Sequence, residues 1–418
     1  MSALQSLGRE LKFLFRQPAA LAVIATVTLL ATFAVWSGLQ EADQQRATIE
    51  RLLLADAEDR AAALAKESDY GGAAYYSFHL TYDPPPPLMF AALGERDVFP
   101  WKHRVRMLAL EGQIYESDVG NAELAQAGRF DFALIISVLA PLFLIVLLHD
   151  QRASERVAGR HDLLVATAGT DSAPWRTRAA VRVGLLSLGL LVPFVMGAAI
   201  SGAGAQLILS VLLVAILQIL FWSVICLWAA ARSFTGPAIA SCLLAFWMLT
   251  TFVIPAIGEA TINSAIPTPE GGDIMLTQRE TVNDAWDLPK EETMEVFLEE
   301  HPEWIGDADI VNAFEWKWYY AFQQVGDQSV ADLSEQRRRA ILERDQAAGW
   351  LAFLSPSALT ERALTRAAKT DVKAAMAYQD RVREFHASLR EFFYPLLFED
   401  NEYAESVFSN MPEYNPNS

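Results

Sequence analysis

The sequence predicts an all-α polytopic membrane protein, with five transmembrane helices and a mainly helical, α or α+β, extracytoplasmic domain built from two segments. Three observations predict it. Charged residues vanish between Arg16 and Glu41, Asp131 and Asp150, Arg182 and Arg232, and Arg232 and Glu259. Arginines cluster at one set of span ends, whereas acids fill two long polar stretches. A hydrophobic content of 52% coexists with 51 acidic and 33 basic residues, so the chain is made of two different materials.

Each uncharged gap is long enough to cross a bilayer, whose core of about 30 Å takes roughly 20 apolar helical residues. Helix is required there because hydrocarbon offers an unpaired peptide group no partner. The gaps give helices at 18–39, 131–149, 183–201, 206–231 and 237–258, with Ser201-Gly202-Ala203-Gly204-Ala205 as the tight turn inside the longest gap. Arg9, Lys12 and Arg16 precede the first helix as they would a secretory signal. Its apolar run is too long for one, and no small-x-small cleavage site follows, so the helix is expected to stay as an anchor.

Lys and Arg at span ends mark the cytoplasmic side. Residues 1–17, the segment 150–182 with its six arginines, and the link carrying Arg232 therefore belong inside, with a cytoplasmic N-terminus. The expected location is a bacterial inner membrane, with 40–130 and 259–418 forming the periplasmic domain. Those two segments carry a formal charge of −22, and all other residues together carry +4. This acidity argues against nucleic acid as a partner. Cys226 and Cys242 both fall in predicted spans, where a small buried hydrophobe is the simplest role.

Residues 1–17 read as an amphipathic helix lying along the inner interface, lipid being its first partner. From Gln40 to about Ser68 the first helix continues outward as an amphipathic rod. Tyr70–Tyr82 is aromatic and reads as a strand. Pro84 to Pro87 form a stiff polyproline connector in preference to a docking ligand. Ser355-Pro356 starts a helix, and from Val372 onward Met376, Gln379, Val382, His386, Leu389 and Phe393 mark one helical face. Trp286, Trp304, Phe314, Trp316, Trp318, Tyr319 and Tyr320 supply the aromatic mass of an independent core.

Catalytic patterns are absent from the sequence. No lysine follows a glycine, so no Walker A loop exists, and neither His-Glu-x-x-His nor Gly-x-Ser-x-Gly occurs. The six histidines are scattered, and His79 with His103 could meet in the outer domain around a metal. The spans contain no charge for a proton relay. The chain is therefore expected not to be an enzyme, with no catalytic residue, no resident metal or cofactor, and no readable substrate-binding residue.

The stretch His149-Asp150-Gln151-Arg152-Ala153-Ser154-Glu155-Arg156-Val157-Ala158-Gly159-Arg160-His161-Asp162-Leu163-Leu164 resembles the coupling segment of ABC-2-type exporter permeases. Glu155, Arg156 and Gly159 match that pattern, whereas Arg160 stands where threonine is more usual. Gly128-Arg129-Phe130-Asp131-Phe132, Pro141-Leu142, Leu354-Ser355-Pro356-Ser357 and the Phe385–Pro395 segment look like the subgroup with a large extracytoplasmic domain.

The resemblance implies the membrane subunit of an ATP-driven exporter. ATP and Mg would sit on a separate ABC ATPase, and a second permease chain, identical or different, would complete the pore. It also implies six helices, so a sixth either follows residue 418 or is missing. The residues expected to couple to the ATPase are Arg9, Lys12, Phe13 and Arg16 on the interfacial helix, with Glu155, Arg156, Gly159, Arg160, Asp162, Leu163 and Leu164 in the inner segment. A second function is mechanotransmission, in which the ATPase pulls on the spans and the outer domain remodels or loads a periplasmic partner while nothing crosses.

Overall fold

A computed structural model describes residues 3–116, 130–168, 173–399 and 401–417. Among them, five helical stretches are long and apolar enough to cross a membrane: Pro18–Leu64, Phe132–Val157, Ala173–Ile200, Ala205–Ala230 and Gly236–Ala265. The protein is thus a mostly helical membrane protein. The bundle is capped at one end by short helices and at the other by a polar lobe.

The chain opens with α1 (Ala3–Leu14), then α2 (Pro18–Leu64). At 47 residues, α2 is a rod of about 70 Å, more than twice a bilayer core. It runs from the basic end of the bundle into the lobe, as the outward-continuing amphipathic pattern predicts. Next come α3 (Tyr70–Tyr76), β1 (His79–Tyr82), β2 (Lys102–Val105) and α4 (Leu110–Tyr115). The two strands pair antiparallel, with His79 opposite Val105 and Thr81 opposite His103.

Tyr70–Tyr76 is helical, against the strand expected for it. The Asp69 side chain caps it by accepting from the Gly72 N–H at 2.7 Å, and five consecutive residues from Tyr70 are buried, which suits a packed helix better than an alternating strand. Only His79–Tyr82 pairs as a strand.

Helix α5 begins as Phe132–Leu134, passes through a π-helical stretch, Ile135–Leu139, and continues as Ala140–Leu148. After it come α6 (Ala153–Val157), α7 (His161–Ala168), α8 (Ala173–Ile200) and α9 (Ala205–Ala230). Helix α10 comprises Gly236–Met248, a second π-helical stretch at Leu249–Val253, and Ile254–Ala265. Arg176, Arg178 and Arg182 lie within α8, which starts earlier than the expected 183 because its first turns pack on α1 and α7. Trp222 is buried in the bundle, whereas Trp36 and Trp228 are exposed.

The lobe is completed by α11 (Gly271–Asp284), α12 (Lys290–Glu300), α13 (Trp316–Leu351), α14 (Pro356–Ala368) and α15 (Val372–Phe398). Trp318, Tyr319 and Phe322 meet edge-on in one core with Phe297, Phe393 and Phe398, and the exposed Trp286 packs edge-on against its rim.

Bundle and lobe are not separate bodies. Leu88, Phe90, Ala91 and Ala92, which follow the proline run, share one buried cluster with the spanning helices, and so do Leu364 and Ala368 of α14. Pro85 is itself buried, so the run acts as the stiff connector that delivers this plug. Gly38 of α2 and Gly197 of α8 clear its path: a Cβ on Gly38 would lie 2.1 Å from the Phe90 carbonyl oxygen, and one on Gly197 2.7 Å from the Phe90 ring. The Phe90 ring stacks on Phe194 with centroids 5.9 Å apart.

Helix α14 packs on α9 and on both π-helical stretches. There Gln218 donates to the Ser137 carbonyl at 3.3 Å, Trp247 donates to the Val138 carbonyl at 3.1 Å, and Thr251 bonds Ser357 at 2.9 Å. Side chains thereby satisfy polar groups that hydrocarbon could not.

Candidate functional site: a charged platform at the basic end of the bundle

Helix α1 is short and amphipathic, and its two buried side chains, Glu10 and Leu14, are one turn apart on the face turned toward α8. A buried carboxylate needs a partner. Arg178, near the start of α8, donates from Nε to Glu10 at 3.1 Å and from Nη1 to Glu155 of α6 at 3.0 Å. Glu155 also accepts from Arg160 Nε at 2.8 Å. Arg178 is 7% exposed, Glu155 4% and Glu10 6%, so the three form one dry ionic hub. The planar guanidinium fork is what lets one cation bridge two carboxylates.

Aromatic rings cover the hub. The Arg178 guanidinium lies 4.9 Å from the Phe13 ring centroid and 5.5 Å from that of Trp175. His161, opening α7, stacks on Trp175 with centroids 5.4 Å apart. Arg182 donates to the Leu147 carbonyl, which ends α5, and to Gln17 at 3.0 Å. Arg156 donates to the Arg232 carbonyl at 2.6 Å, fastening the turn before α10. Gly159 has φ 68°, a left-handed conformation, and ends α6 with its N–H donating to the Arg156 carbonyl at 3.0 Å. Helices α1, α6 and α7 and four spans are thereby joined at one end.

The expected coupling residues divide into two groups. Glu155 is buried in the hub, Arg156 fastens the turn before α10 from the surface, and Gly159 is exposed where it ends α6. Arg9, Lys12, Phe13, Arg16, Arg160, Asp162 and Leu163 are exposed on it, and Leu164 is half-buried. Beside them Val157 is 87% exposed and Leu163 66%. These apolar side chains stand among charges without cover from this chain.

Sequence reasoning missed Arg178, Glu10 and Trp175 as site residues. Arg178 counted there only as an orienting charge. A Trp–x–x–Arg step at the start of a span was the available signal, because it puts ring and cation on one helix face. Gly128 and Arg129, part of the family-like stretch before α5, lie outside the described residues.

In the lobe, His79 and His103 do not converge on a metal. His79 packs on Phe385, with ring centroids 5.6 Å apart, and His103 bonds the Tyr378 hydroxyl through Nδ1 at 3.0 Å. No group of three His, Cys, Asp or Glu able to hold a metal occurs among the described residues.

Residues 274–417 match a family described as "Domain of unknown function (DUF3526)". That match spans most of the lobe's C-terminal half, including α12–α15, and stops short of the platform. No curated protein and no solved structure matches the chain.

Proposed function

We propose that the chain is the permease subunit of an ATP-driven ABC transporter, with the platform on the cytoplasmic side as the docking surface for a separate ATPase. One observation carries this reading. A single buried arginine locks an interfacial helix, an inner helical loop and the start of a spanning helix into one unit, and the exposed Val157 and Leu163 sit beside it. A closing ATPase that grips α7 would therefore move α8 and α1 together. ATP and Mg would be bound by the partner, since this chain has no phosphate-binding loop. Export, an inner-membrane location, a periplasmic lobe and a dimeric pore belong to the same proposal.

The mechanotransmission reading has its own support. Helix α2 is one uninterrupted rod from platform to lobe, and the Leu88–Ala92 plug fills the lobe-facing end of the bundle. A rigid rod with a filled mouth suits transmission of force.

The test uses the tagged full chain purified from native membranes. A co-purifying subunit with a Walker A sequence, whose ATPase activity depends on this chain, is the expected result. Leu163→Asp, which leaves the hub intact, should lower recovery of that subunit roughly tenfold. Undiminished recovery in Leu163→Asp together with Val157→Asp would remove the platform from consideration. Glu155→Ala is a poorer probe, because it breaks the platform itself.

A further inference from the structure

Between α13 and α15, closed at its sides by α4 and by the turn after α12, the lobe holds a cavity of about 750 Å³. Pockets for small organic ligands run from about 300 to 1,000 Å³. Seven carboxylates and three arginines line it. The arginines are consumed by inner acids: Arg338 by Asp380 at 2.9 Å, Arg383 by Glu111 at 2.7 Å, and Arg390 by Asp327 at 2.5 Å. The surplus is negative: Glu300, Glu303 and Glu391 lie exposed on the lining, Glu303 bonded to His301 at 2.9 Å and Glu300 accepting from Gln324 at 3.3 Å.

Two further features point to an occupant. Gln328 belongs to the lining, and both polar atoms of its amide are buried with no hydrogen-bond partner. Trp304, half-buried and stacked on Phe398, and the buried Tyr394 border the same lining, and aromatic rings attract cations and pack alkyl chains.

We infer that this cavity binds a small organic cation of polyamine size, its ammonium groups drawn to Glu300, Glu303 and Glu391 and its aliphatic body lying against Trp304 and Tyr394. The inference is independent of the transporter reading, because it concerns the isolated chain. Binding should weaken with salt, as exposed carboxylates are screened.

The test is isothermal titration calorimetry of the full chain in detergent with spermidine as the probe. Saturable binding is expected, weakened roughly tenfold in the Glu303→Gln/Glu391→Gln double variant. Glu343→Gln, a surface control outside the lining, should bind as the parent does, and inorganic phosphate should not bind. Trp304→Leu removes a ring but no charge and serves as the second probe, with weaker binding expected. The inference is overturned if the folded chain shows no saturable spermidine binding, if the double variant and Trp304→Leu both bind undiminished, if Glu343→Gln is weakened equally, or if phosphate binds more tightly.

Discussion

The two ends of the molecule solve one problem differently. At the basic end, one buried arginine serves two buried carboxylates from elements far apart in sequence, and the second cation near Glu10, Arg9 at 3.7 Å, is half exposed. In the lobe, three arginines each have their own acid, and Asp327 accepts in addition from the Leu110 and Glu111 N–H groups and from Gln278 at 2.6 Å. A hub concentrates dependence on one residue, whereas a ladder spreads it.

The sharpest way to break that contrast is Arg178→Ala. It strands Glu10 and half of the Glu155 bonding in a dry site, which costs about 3–5 kcal/mol. A large fall in the thermal midpoint of the detergent-purified chain is expected, together with exposure of α1 to protease. Arg178→Lys should recover less than half of the loss, since an ammonium lacks the two-pronged fork. A midpoint within a degree or two of the parent for Arg178→Ala would mean that the hub does not hold the platform.

Much of this contrast was hidden in the sequence. Charge-free gaps located the spans because hydrocarbon imposes one rule on every residue in them. Positions were clear wherever one element answered to one solvent: the turn at Ser201–Ala205, the start at Ser355-Pro356, and the face from Met376 to Phe393. They failed where residues answer to distant partners. Leu88–Ala92 reads as an apolar loop beside prolines, and only Gly38 and Gly197 reveal the slot it fills. Helix α14 carries Glu361 and Arg362 and so reads as lobe surface, yet it lies against α9. Arg178 looked like one of six orienting arginines, because its only local signal is the Trp175 ring one turn before it and its two carboxylate partners are distant in sequence.

Acid offers a middle-sized probe of the lobe. Burial, with Arg60 adding to it, lowers the His79 pKa to about 3, and burial lowers that of His103 to about 4. His386 is held well below its usual value, chiefly by burial. All three are neutral when folded at neutral pH. The unfolded chain takes up these protons below a pH of about 6.5, so the stabilisation is complete above that value and is lost as pH falls toward the folded-state values. His79 and His103 should each account for about 2 kcal/mol between pH 7 and 5. Glu95 and Asp327 act in the opposite sense, because burial raises their pKa and their contribution is lost as pH rises. His79→Phe isolates one histidine while keeping the ring contact with Phe385. The acid-induced loss of lobe stability should shrink by about 2 kcal/mol in that variant. An unchanged loss would place His79 outside the titration.

The smallest effect belongs to the outermost rung. Arg338 and Asp380 form a two-pronged pair, yet their side chains remain 32% and 34% exposed, and Arg383 stands 3.6 Å from Asp380 as an alternative partner. Arg338→Ala should therefore cost less than about 1 kcal/mol, by the same thermal measurement that registers a large loss for Arg178→Ala. A loss as large as the hub's would turn the ladder into a second hub and end the comparison. The same substitution also has a readout of opposite sign. It removes one positive charge from the cavity lining while the three exposed glutamates stay, so spermidine should bind the variant more tightly than the parent, by a factor that shrinks as salt is added.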